Sequence, residues 1–340
     1  MNFGIIGFGA IGAVHARVIQ ELDGANLAGI AVRSSGKALE AEKEYGCPVF
    51  TDYHDLLKRQ DIDAVVICVP SGAHFQVAMD AAAAGKHCIV EKPIDILPDR
   101  AEQMIRAFEE KNLKLAVMFQ RRFDRVSQLI RKSIDDQVLG RLNYGSAKTL
   151  WFRDDAYYRS GGWRGTWAGD GGGALMNQAI HAIDLLQYLM GPVSAVCGKC
   201  DTLNHQEIET EDIGLALLRF QSGALGVIEG MTLAYPGYGN EIRVQGQTGS
   251  AVIRNDALDS YSFQSGKDET SETLLKSGDE SRFFGWYNLV PFMREYQDFM
   301  EAVSLDRQPL VSGREGLKSL RIITAIYESS ARNTWVDIEP

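Results

Sequence analysis

The chain has 340 residues, of which 35 are basic and 45 acidic, so its formal net charge at pH 7 is −10. This length favours two domains, and the acidic balance, with both signs scattered along the chain, argues against a nucleic-acid-binding surface. Apolar runs such as Ala64–Val69 are far shorter than the roughly 20 residues that a membrane helix needs. No signal-peptide pattern is visible, so we expect a cytoplasmic protein without a membrane span.

The five cysteines do not suggest a disulfide framework, because their number is odd and the chain is long. Cys197 and Cys200 form a C-x-x-C pair, which occurs in metal and redox sites. No second pair and no histidine pattern accompanies it. We therefore expect no metal site.

The chain opens with a glycine-rich turn between an apolar strand and a helix. Phe3–Ile6 reads as a buried strand, Gly7, Gly9 and Gly12 have the G-x-G-x-x-G spacing, and Ala13–Leu22 carries a helical apolar stripe. In this context the glycines allow a tight turn, close approach of a pyrophosphate and close packing of the helix. The pattern predicts a dinucleotide site with the pyrophosphate at the helix N-terminus.

Strand-like and helix-like segments then alternate as far as about Gln120. Such alternation predicts parallel βαβ units, with ligands bound beyond the carboxyl ends of the strands. The predicted strands are Leu27–Val32, Ala64–Val69, His87–Val90 and Lys114–Phe119, and the predicted helices are Lys37–Tyr45, Asp55–Arg59, Phe75–Ala84 and Asp99–Lys111.

The second half of the chain has a different pattern, with many strands and few helices between them. Turn signals at Ser222-Gly223 and Thr248-Gly249 predict hairpins and a largely antiparallel sheet. The polar stretch Asp259–Phe284 carries the weakest pattern. The predicted helices are Arg125–Asp135, Trp286–Val303 and Gly313–Ala331, and the predicted strands are Leu142–Trp151, Ala195–Asp201, Gly214–Phe220, Leu225–Leu233, Glu241–Gly246 and Ser250–Arg254. The two final helices are expected to cover a sheet face or to return toward the first domain.

These patterns together predict an α/β protein with two domains. Residues 1–121 are expected to form a Rossmann dinucleotide-binding domain. Residues 122–340 are expected to form a second, α+β domain built on a largely antiparallel sheet.

A lysine follows the strand His87–Val90, on the sheet edge where the glycine turn also lies. An ammonium group there, that of Lys92, can polarise a carbonyl or stabilise a developing alkoxide. The alternative is a solvent-facing lysine in an ordinary loop. Position alone does not decide between them.

Three glycines, Gly171–Gly173, precede a helical segment that carries Asn177, His181 and Asp184. Their spacing places the three polar side chains on one helical face. A histidine so placed can act as an acid or base near neutral pH. The alternative is a hydrogen-bonded core histidine with an aspartate beside it.

The end of the second strand bears on the choice of cofactor. An NAD site usually has an acidic residue there for the ribose 2′-hydroxyl, whereas basic and hydroxyl groups suit a 2′-phosphate. This chain has Arg33, Ser34, Ser35 and Lys37, with no acid before Glu40. NADP is therefore the preferred cofactor, with NAD as the alternative.

At these places the sequence resembles the Gfo/Idh/MocA family of dinucleotide-dependent oxidoreductases, which act mainly on sugars and cyclitols. The resemblance covers essentially the whole chain. It rests on GFGAIG from Gly7, on Val69-Pro70-Ser71 with His74, on Glu91-Lys92-Pro93, and on GGGALMNQAIHAID from Gly171 to Asp184. It implies that Lys92 and His181 flank the substrate hydroxyl and the nicotinamide. It also implies a homodimer or homotetramer formed through the C-terminal sheet.

One position departs from the commoner family pattern, since many members have aspartate where this chain has Asn177. An amide can orient a sugar hydroxyl but cannot take a proton at neutral pH. His181 is then the expected base and Lys92 its electrostatic partner, which makes these two the catalytic candidates. The substrate-binding candidates are Asn177, Lys92 and Arg122, although Arg121 and Arg122 could instead face solvent.

Further residues are candidates for the cofactor site. Trp163 and Arg164 resemble a family pair that reaches the nicotinamide end, Gln120 is similar to a polar family position, and His15 could lie nearby. The full set of expected cofactor contacts is Gly7, Phe8, Gly9, Ala10, Ile11, Gly12, Arg33, Ser34, Ser35, Lys37, Val69, Pro70, Ser71, His74, Glu91, Lys92, Gln120, Trp163 and Arg164.

The leading functional hypothesis is an NAD(P)-dependent dehydrogenase or reductase for a secondary hydroxyl or ketone of a sugar, cyclitol or sugar derivative. The motif around Asn177, with Tyr157-Tyr158 and Trp163 upstream, is also similar to the branch that contains nucleotide-sugar 3-dehydrogenases. A third hypothesis, from another class, is a noncatalytic dinucleotide-bound sensor or repressor. The presence of both Lys92 and His181 argues against it.

Overall fold

The computed structural model describes residues 1–264 and 282–339. As far as they are described, these residues form two compact units, one of Met1–Gln120 with Ser281–Leu317 and one of Arg121–Glu280 with Lys318–Pro340. The predicted domain division assigned everything after residue 121 to the second domain. By its contacts, however, the segment 282–317 belongs to the first compact unit.

The first unit contains a six-stranded parallel sheet in the order β3-β2-β1-β4-β5-β6. The strands are β1 (Asn2–Ile6), β2 (Asn26–Ala31), β3 (Val49–Phe50), β4 (Ala64–Ile67), β5 (His87–Val90) and β6 (Leu115–Val117). Ile5 of β1 pairs with Ile30 on one side and with Val66 on the other. The continuous apolar runs of β1 and β4 are typical of parallel strands that helices cover on both faces. This strand order is that of dinucleotide-binding sheets.

Helices connect these strands as the alternating pattern predicts. They are α1 (Ala10–Glu21), α2 (Ser35–Tyr45), α3 (Tyr53–Leu57), α4 (His74–Ala83) and α5 (Pro98–Glu110), with a 3-10 turn at Ser71–Ala73. The predicted elements differ from the observed ones mainly at their ends. The two-residue strand β3 was not predicted, because it is too short to show a periodicity.

The segment after the undescribed residues packs on the Rossmann sheet of the first unit. It contains a short hairpin, β14 (Phe283–Phe284) with β15 (Tyr287–Asn288), and the helix α9 (Leu289–Ser304), whose first turn is capped by the side chain of Asn288. The ring of Tyr296 lies edge-on to the ring of Phe3, with 5.3 Å between centroids. Phe292 and Phe299 are buried in the same core. The apolar face of α9 therefore packs on the core of the first unit.

The second unit contains an eight-stranded sheet in the order β13-β12-β11-β7-β10-β9-β8-β16. All neighbours are antiparallel except β7 and β10, which are parallel. The strands are β7 (Leu142–Leu150), β8 (Val193–Asp201), β9 (Ile213–Phe220), β10 (Leu225–Met231), β11 (Gly239–Gly246), β12 (Gly249–Arg254), β13 (Ala257–Phe263) and β16 (Val336–Asp337). Both predicted hairpins are present, and the predicted α/β fold with a largely antiparallel second sheet is confirmed.

Helical segments among the described residues accompany this sheet. They are α6 (Arg125–Asp135), α7 (Asp155–Arg159), a π-helical turn (Ala174–Ala179), α8 (Ile180–Met190) and α10 (Gly313–Arg332), within which the division between the two units falls. Of the weakly patterned stretch 259–284, residues 265–281 lie outside the described residues.

Candidate functional site

The candidate residues fall into two clusters, one in each compact unit. In the first unit they lie at the carboxyl ends of β1, β2, β4 and β5, the edge at which parallel sheets of this kind bind ligands. In the second unit they lie in the turn after β6, in the loop after α7, on the π-helical turn and at the start of α8.

The glycine turn has the close packing that its motif predicts. Gly7 has a φ of +94°, and a Cβ there would lie 2.7 Å from the backbone carbonyl of Cys68, at the end of β4. A Cβ on Gly12 would lie 2.6 Å from the carbonyl oxygen of Gly7, so α1 packs directly on the turn. Gly9 caps α1, and no described atom lies within 4 Å of the place its Cβ would occupy. The turn therefore leaves room for a pyrophosphate at the N-terminus of α1.

Gln120, in the turn after β6, also fits a bound ligand. Its side-chain oxygen is buried, and no described residue of the protein donates a hydrogen bond to it. Buried polar atoms normally have a partner, so this oxygen is suited to accept a hydrogen bond from a ligand. The cradle at the glycine turn and this orphaned oxygen together fit a dinucleotide.

Lys92 is half-buried, and its loop is attached to the core through Glu91. The Glu91 carboxylate accepts a hydrogen bond from the Lys92 amide, at 3.1 Å, and lies 2.9 Å from His15 Nε2. His15 Nδ1 lies in turn 2.8 Å from the hydroxyl of Tyr296. Burial opposes ionisation of Glu91, but His15 and the Lys92 charge outweigh it and lower the pKa of Glu91. The residue directly before the candidate lysine therefore carries a negative charge that hydrogen bonds hold in place.

His74, the first residue of α4, is buried and hydrogen-bonded within the first unit. Its ring is 1% exposed, with Nδ1 2.8 Å from the carbonyl oxygen of Pro93 and Nε2 3.0 Å from that of Val69. Burial lowers the pKa of His74. Because both ring nitrogens face backbone carbonyls, the ring joins the loops after β4 and β5. The Glu91 carboxylate is engaged by His15 and by the Lys92 amide. The assignment of His74 and Glu91 to the cofactor contacts stays a prediction.

The end of β2 presents the residues that were considered for the cofactor ribose. Arg33 and Ser34 are exposed, and Ser34 caps α2 without a side-chain hydrogen bond to the helix. The side chains of Ser35 and Lys37 lie outside the described ones. Arg33 and Ser34 are thus accessible to a ligand at this edge of the sheet.

In the second unit, the Gly171–Gly173 run leads into the π-helical turn, and Glu211 holds its end. The Glu211 carboxylate accepts hydrogen bonds from the amides of Gly173, at 2.9 Å, and Leu175, at 2.8 Å, and from the hydroxyl of Tyr327, at 2.9 Å. A Cβ on Gly173 would collide with the carbonyl oxygen of Glu211. Burial raises the pKa of Glu211 to about 7, although these donors oppose the shift.

Asn177, on the π-helical turn, is held in one orientation. Its amide nitrogen donates to Asp170, at 2.6 Å, and its oxygen accepts from Gln178, at 2.7 Å, and from the hydroxyl of Tyr157, at 3.4 Å. Asp170 also accepts from the Gly165 amide. This chain has Asn177 where many family members have aspartate. Asp170 nevertheless places a carboxylate in hydrogen-bond contact with that side chain.

His181 is half-buried in the first turn of α8, beside residues with other roles. Asp184 and Arg122, each 1% exposed, form a buried ion pair with Nε–Oδ2 and Nη2–Oδ1 distances of 2.8 and 2.7 Å. Arg122 is therefore not the solvent-facing residue of the alternative reading. Its assignment to substrate binding stays a prediction. The π-helical turn was also not predicted, since a helical pattern does not reveal its wider turn.

Trp163 and Arg164 lie in the loop after α7 and are both half-buried. The Arg164 guanidinium carbon is 4.8 Å from the centroid of the Trp163 ring and 4.9 Å from that of Tyr157. Arg164 also donates to the hydroxyl of Ser160, at 3.1 Å. The pair is therefore ordered within its own unit.

Comparison with known proteins decides the family. Residues 1–119 match the oxidoreductase family with an NAD-binding Rossmann fold, and residues 131–338 match the C-terminal α/β domain of the same family. The chain belongs to the Gfo/Idh/MocA oxidoreductases. The resemblance on which the sequence interpretation rested is thus confirmed, as are the fold class and the class of enzyme.

Individual relatives are similar over the whole chain. Myo-inositol 2-dehydrogenase of Thermotoga maritima is 28% identical, over all of this chain and 99% of its own. The levoglucosan dehydrogenase of Pseudarthrobacter phenanthrenivorans is 27% identical, over 88% and 86%. The crystal structure of the WlbA dehydrogenase from Bordetella pertussis, in complex with NADH and UDP-GlcNAcA, superimposes with a TM-score of 0.88 at 32% identity, covering 100% and 99%.

The described residues also bear on membrane insertion and on metal binding. No helix in 1–264 or 282–339 has the length and apolar character to span a bilayer. Within the same ranges, no three His, Cys, Asp or Glu side chains are grouped so that they could hold a metal ion. Cys197 and Cys200, the pair considered for a metal, both lie in β8 as free thiols.

Proposed function

We propose that this oxidoreductase transfers a hydride between a nicotinamide dinucleotide and a secondary hydroxyl or ketone of a sugar, cyclitol or sugar derivative. The observation that carries the proposal is the joint presence of Lys92, on a loop held by buried hydrogen bonds, and His181, on a helix whose start is held by Glu211. The inositol and levoglucosan dehydrogenases among its relatives support this substrate class.

Each candidate residue has a separate chemical role in the direction of oxidation. His181 accepts the proton of the substrate hydroxyl, and Lys92 stabilises the negative charge that develops on the same oxygen. Asn177, oriented by Asp170, positions a neighbouring hydroxyl. The bound nicotinamide supplies the hydride acceptor, and the glycine turn with Gln120 would hold the dinucleotide.

For the cofactor we propose a preference for NADP over NAD. The exposed Arg33 and Ser34 suit a 2′-phosphate, and no acidic residue precedes Glu40 after β2. The relative from B. pertussis was crystallised with NADH, so the two dinucleotides must be compared directly.

A nucleotide-sugar dehydrogenase is the second candidate function. The 32% identity to the WlbA dehydrogenase, whose complex contains UDP-GlcNAcA, favours it. Binding of UDP alone to the purified protein would separate this candidate from a dehydrogenase of free sugars or cyclitols.

We also propose a homodimer or homotetramer formed through the second sheet. In β9 the residues on one face are buried, whereas Leu215 and Leu217 on the other face are 42% and 53% exposed, and Leu225 of the neighbouring β10 is 58% exposed. An apolar patch of this kind on a sheet face is typical of a protein interface.

The test is nicotinamide absorbance with each dinucleotide and a panel of free sugars, cyclitols and nucleotide sugars. We expect turnover with at least one of them and a higher kcat/KM with NADP than with NAD. Tight binding of dinucleotide without turnover across the panel would contradict the proposal and favour the sensor hypothesis.

A further inference from the structure

An aromatic and arginine cluster in the second unit has no role in the reaction described above. It consists of Trp151, Arg153, Tyr157, Trp163 and Arg164. The Arg153 guanidinium carbon lies 5.0 Å from the ring centroid of Trp151 and 5.1 Å from that of Tyr157. Arg164 approaches Tyr157 and Trp163 at 4.9 and 4.8 Å. Two positive charges therefore converge on one tyrosine ring.

The two guanidinium groups retain most of their hydrogen-bonding capacity. Arg153 donates to Gln178 at 3.0 Å and to the Phe152 carbonyl at 3.4 Å, and Arg164 donates to the hydroxyl of Ser160. In the described part of the chain neither has a carboxylate partner, and the Nε of each is buried without an acceptor. A guanidinium has five donors, and buried donor groups such as these Nε atoms normally have an acceptor.

Several other arginines of this unit show the contrast. Arg121, Arg122, Arg131 and Arg159 each form an ion pair with a carboxylate. The guanidinium carbons of Arg153 and Arg164 lie 5.1 and 4.9 Å from the centroid of the Tyr157 ring. This contact restricts both side chains and so reduces the entropy lost when an anion binds to their donors.

The cluster is connected to the candidate substrate residues. Gln178, which accepts from Arg153, donates to the Tyr157 hydroxyl at 2.7 Å and to the Asn177 oxygen at 2.7 Å. The cationic cluster and the amide that is proposed to orient the substrate thus belong to one hydrogen-bonded group.

We propose that Arg153 and Arg164 bind an anionic oxygen group of the substrate, a carboxylate or a phosphate, and so select a charged sugar derivative over a neutral one. This rests on the proposed function, and it moves Arg164 from the expected cofactor contacts to the substrate contacts. Arginine suits either group, because its planar donors match two oxygens at once.

The test is calorimetric titration of the protein saturated with NADP, using two matched pairs of probes. One pair is glucuronate and glucose, and the other is UDP and uridine. For at least one pair we expect the anion to bind at least tenfold more tightly than its neutral partner, and this preference to fall about tenfold in Arg153→Gln and in Arg164→Gln. If the preference for glucuronate depends on the arginines, the group that they bind is a carboxylate. If the preference for UDP depends on them, that group is a pyrophosphate.

Arg159→Gln is the matched control, because Arg159 lies on α7 but is exposed and paired with Glu207. It should retain the preference of the wild-type protein. Arg153→Lys and Arg164→Lys keep the charge without the planar donors and should fall between wild type and the glutamine variants. These lysine variants test the inference in place of a glutamine variant that does not fold.

Three results would overturn the inference: equal binding of anions and neutral partners, an unchanged preference in both arginine variants, or weaker dinucleotide binding as the sole effect. The last would return Arg164 to the cofactor site. A preference that depends on the arginines in a protein without turnover would contradict the proposed function alone. Turnover without such a preference would contradict this inference alone.

Discussion

At the scale of single residues, the candidate lysine depends on partners that are distant in sequence. Glu91 is 76 residues from His15, and His15 is 281 residues from Tyr296, yet their side chains form one buried chain of hydrogen bonds that ends at the Lys92 amide. Position in the sequence singled out Lys92. The group that holds it was not predictable, because no local pattern records such long-range pairs.

His15→Ala tests this chain of hydrogen bonds. The substitution would leave the buried Glu91 carboxylate without its imidazole partner and would remove the partner of the Tyr296 hydroxyl. We expect a loss of about 3 kcal/mol in the free energy of unfolding, since unsatisfied buried polar groups are costly. Urea unfolding of the variant beside His54→Ala, which changes an exposed histidine, measures it. Equal stability of the two variants would show that these hydrogen bonds contribute little to the free energy of unfolding.

At the scale of elements, the start of the helix that carries His181 depends on Glu211. This residue accepts from two amides at the end of the glycine run, 38 and 36 residues earlier in the chain. The glycines of the run indicated that another group packs closely against the backbone here. The sequence did not show that this group is Glu211. The helix α9 shows the same limit, because its amphipathic pattern predicted a helix without indicating which sheet it covers.

Glu211→Gln should change how stability depends on pH. Burial raises the pKa of Glu211 from 4.5 to about 7, so the folded protein holds a proton that the unfolded chain releases between these values. The stabilisation is complete below pH 4.5 and is lost as the pH rises through 7. A shift of this size corresponds to roughly 3 kcal/mol at 1.36 kcal/mol per unit.

Urea unfolding of wild type and Glu211→Gln at pH 4.5 and pH 8 isolates this effect. The advantage of the wild type should be greater at pH 4.5 than at pH 8 by on the order of 3 kcal/mol, because glutamine does not titrate. Tyr327→Phe removes a donor that opposes the shift but keeps the carboxylate, so its stability should depend on pH at least as strongly as that of the wild type. A difference between wild type and Glu211→Gln that is the same at both pH values would contradict the account.

At the scale of the whole molecule, the alternation of apolar strands and helices was enough to predict the Rossmann sheet. The hairpins of the second sheet followed from Ser222-Gly223 and Thr248-Gly249. The packing of the segment 282–317 on the first unit was not predictable, because only contacts with Phe3 and its neighbours show it. Trp163 and Arg164 were singled out as cofactor contacts, but the grouping of Arg153 and Arg164 around Tyr157 was not predicted, because no sequence spacing indicates it.

Leu217→Asp tests the proposed oligomer. A carboxylate in the exposed apolar face of β9 would lose its hydration on association, so the variant should be a monomer where the wild type is a dimer or tetramer. Leu305→Asp, at an exposed leucine after α9, is the control and should keep the wild-type mass. Light scattering after gel filtration gives both masses. A wild-type mass for Leu217→Asp would place the interface elsewhere.

The central claim, that Lys92 serves hydride transfer to or from a sugar-like hydroxyl, is tested most directly by nicotinamide absorbance with Lys92→Met. Lys58→Met, at an exposed lysine paired with Asp55, is the matched control. With the substrate that the panel identifies, we expect turnover to be abolished in Lys92→Met, with dinucleotide affinity close to that of the wild type and with full activity in the control. Unchanged turnover in Lys92→Met would contradict the account.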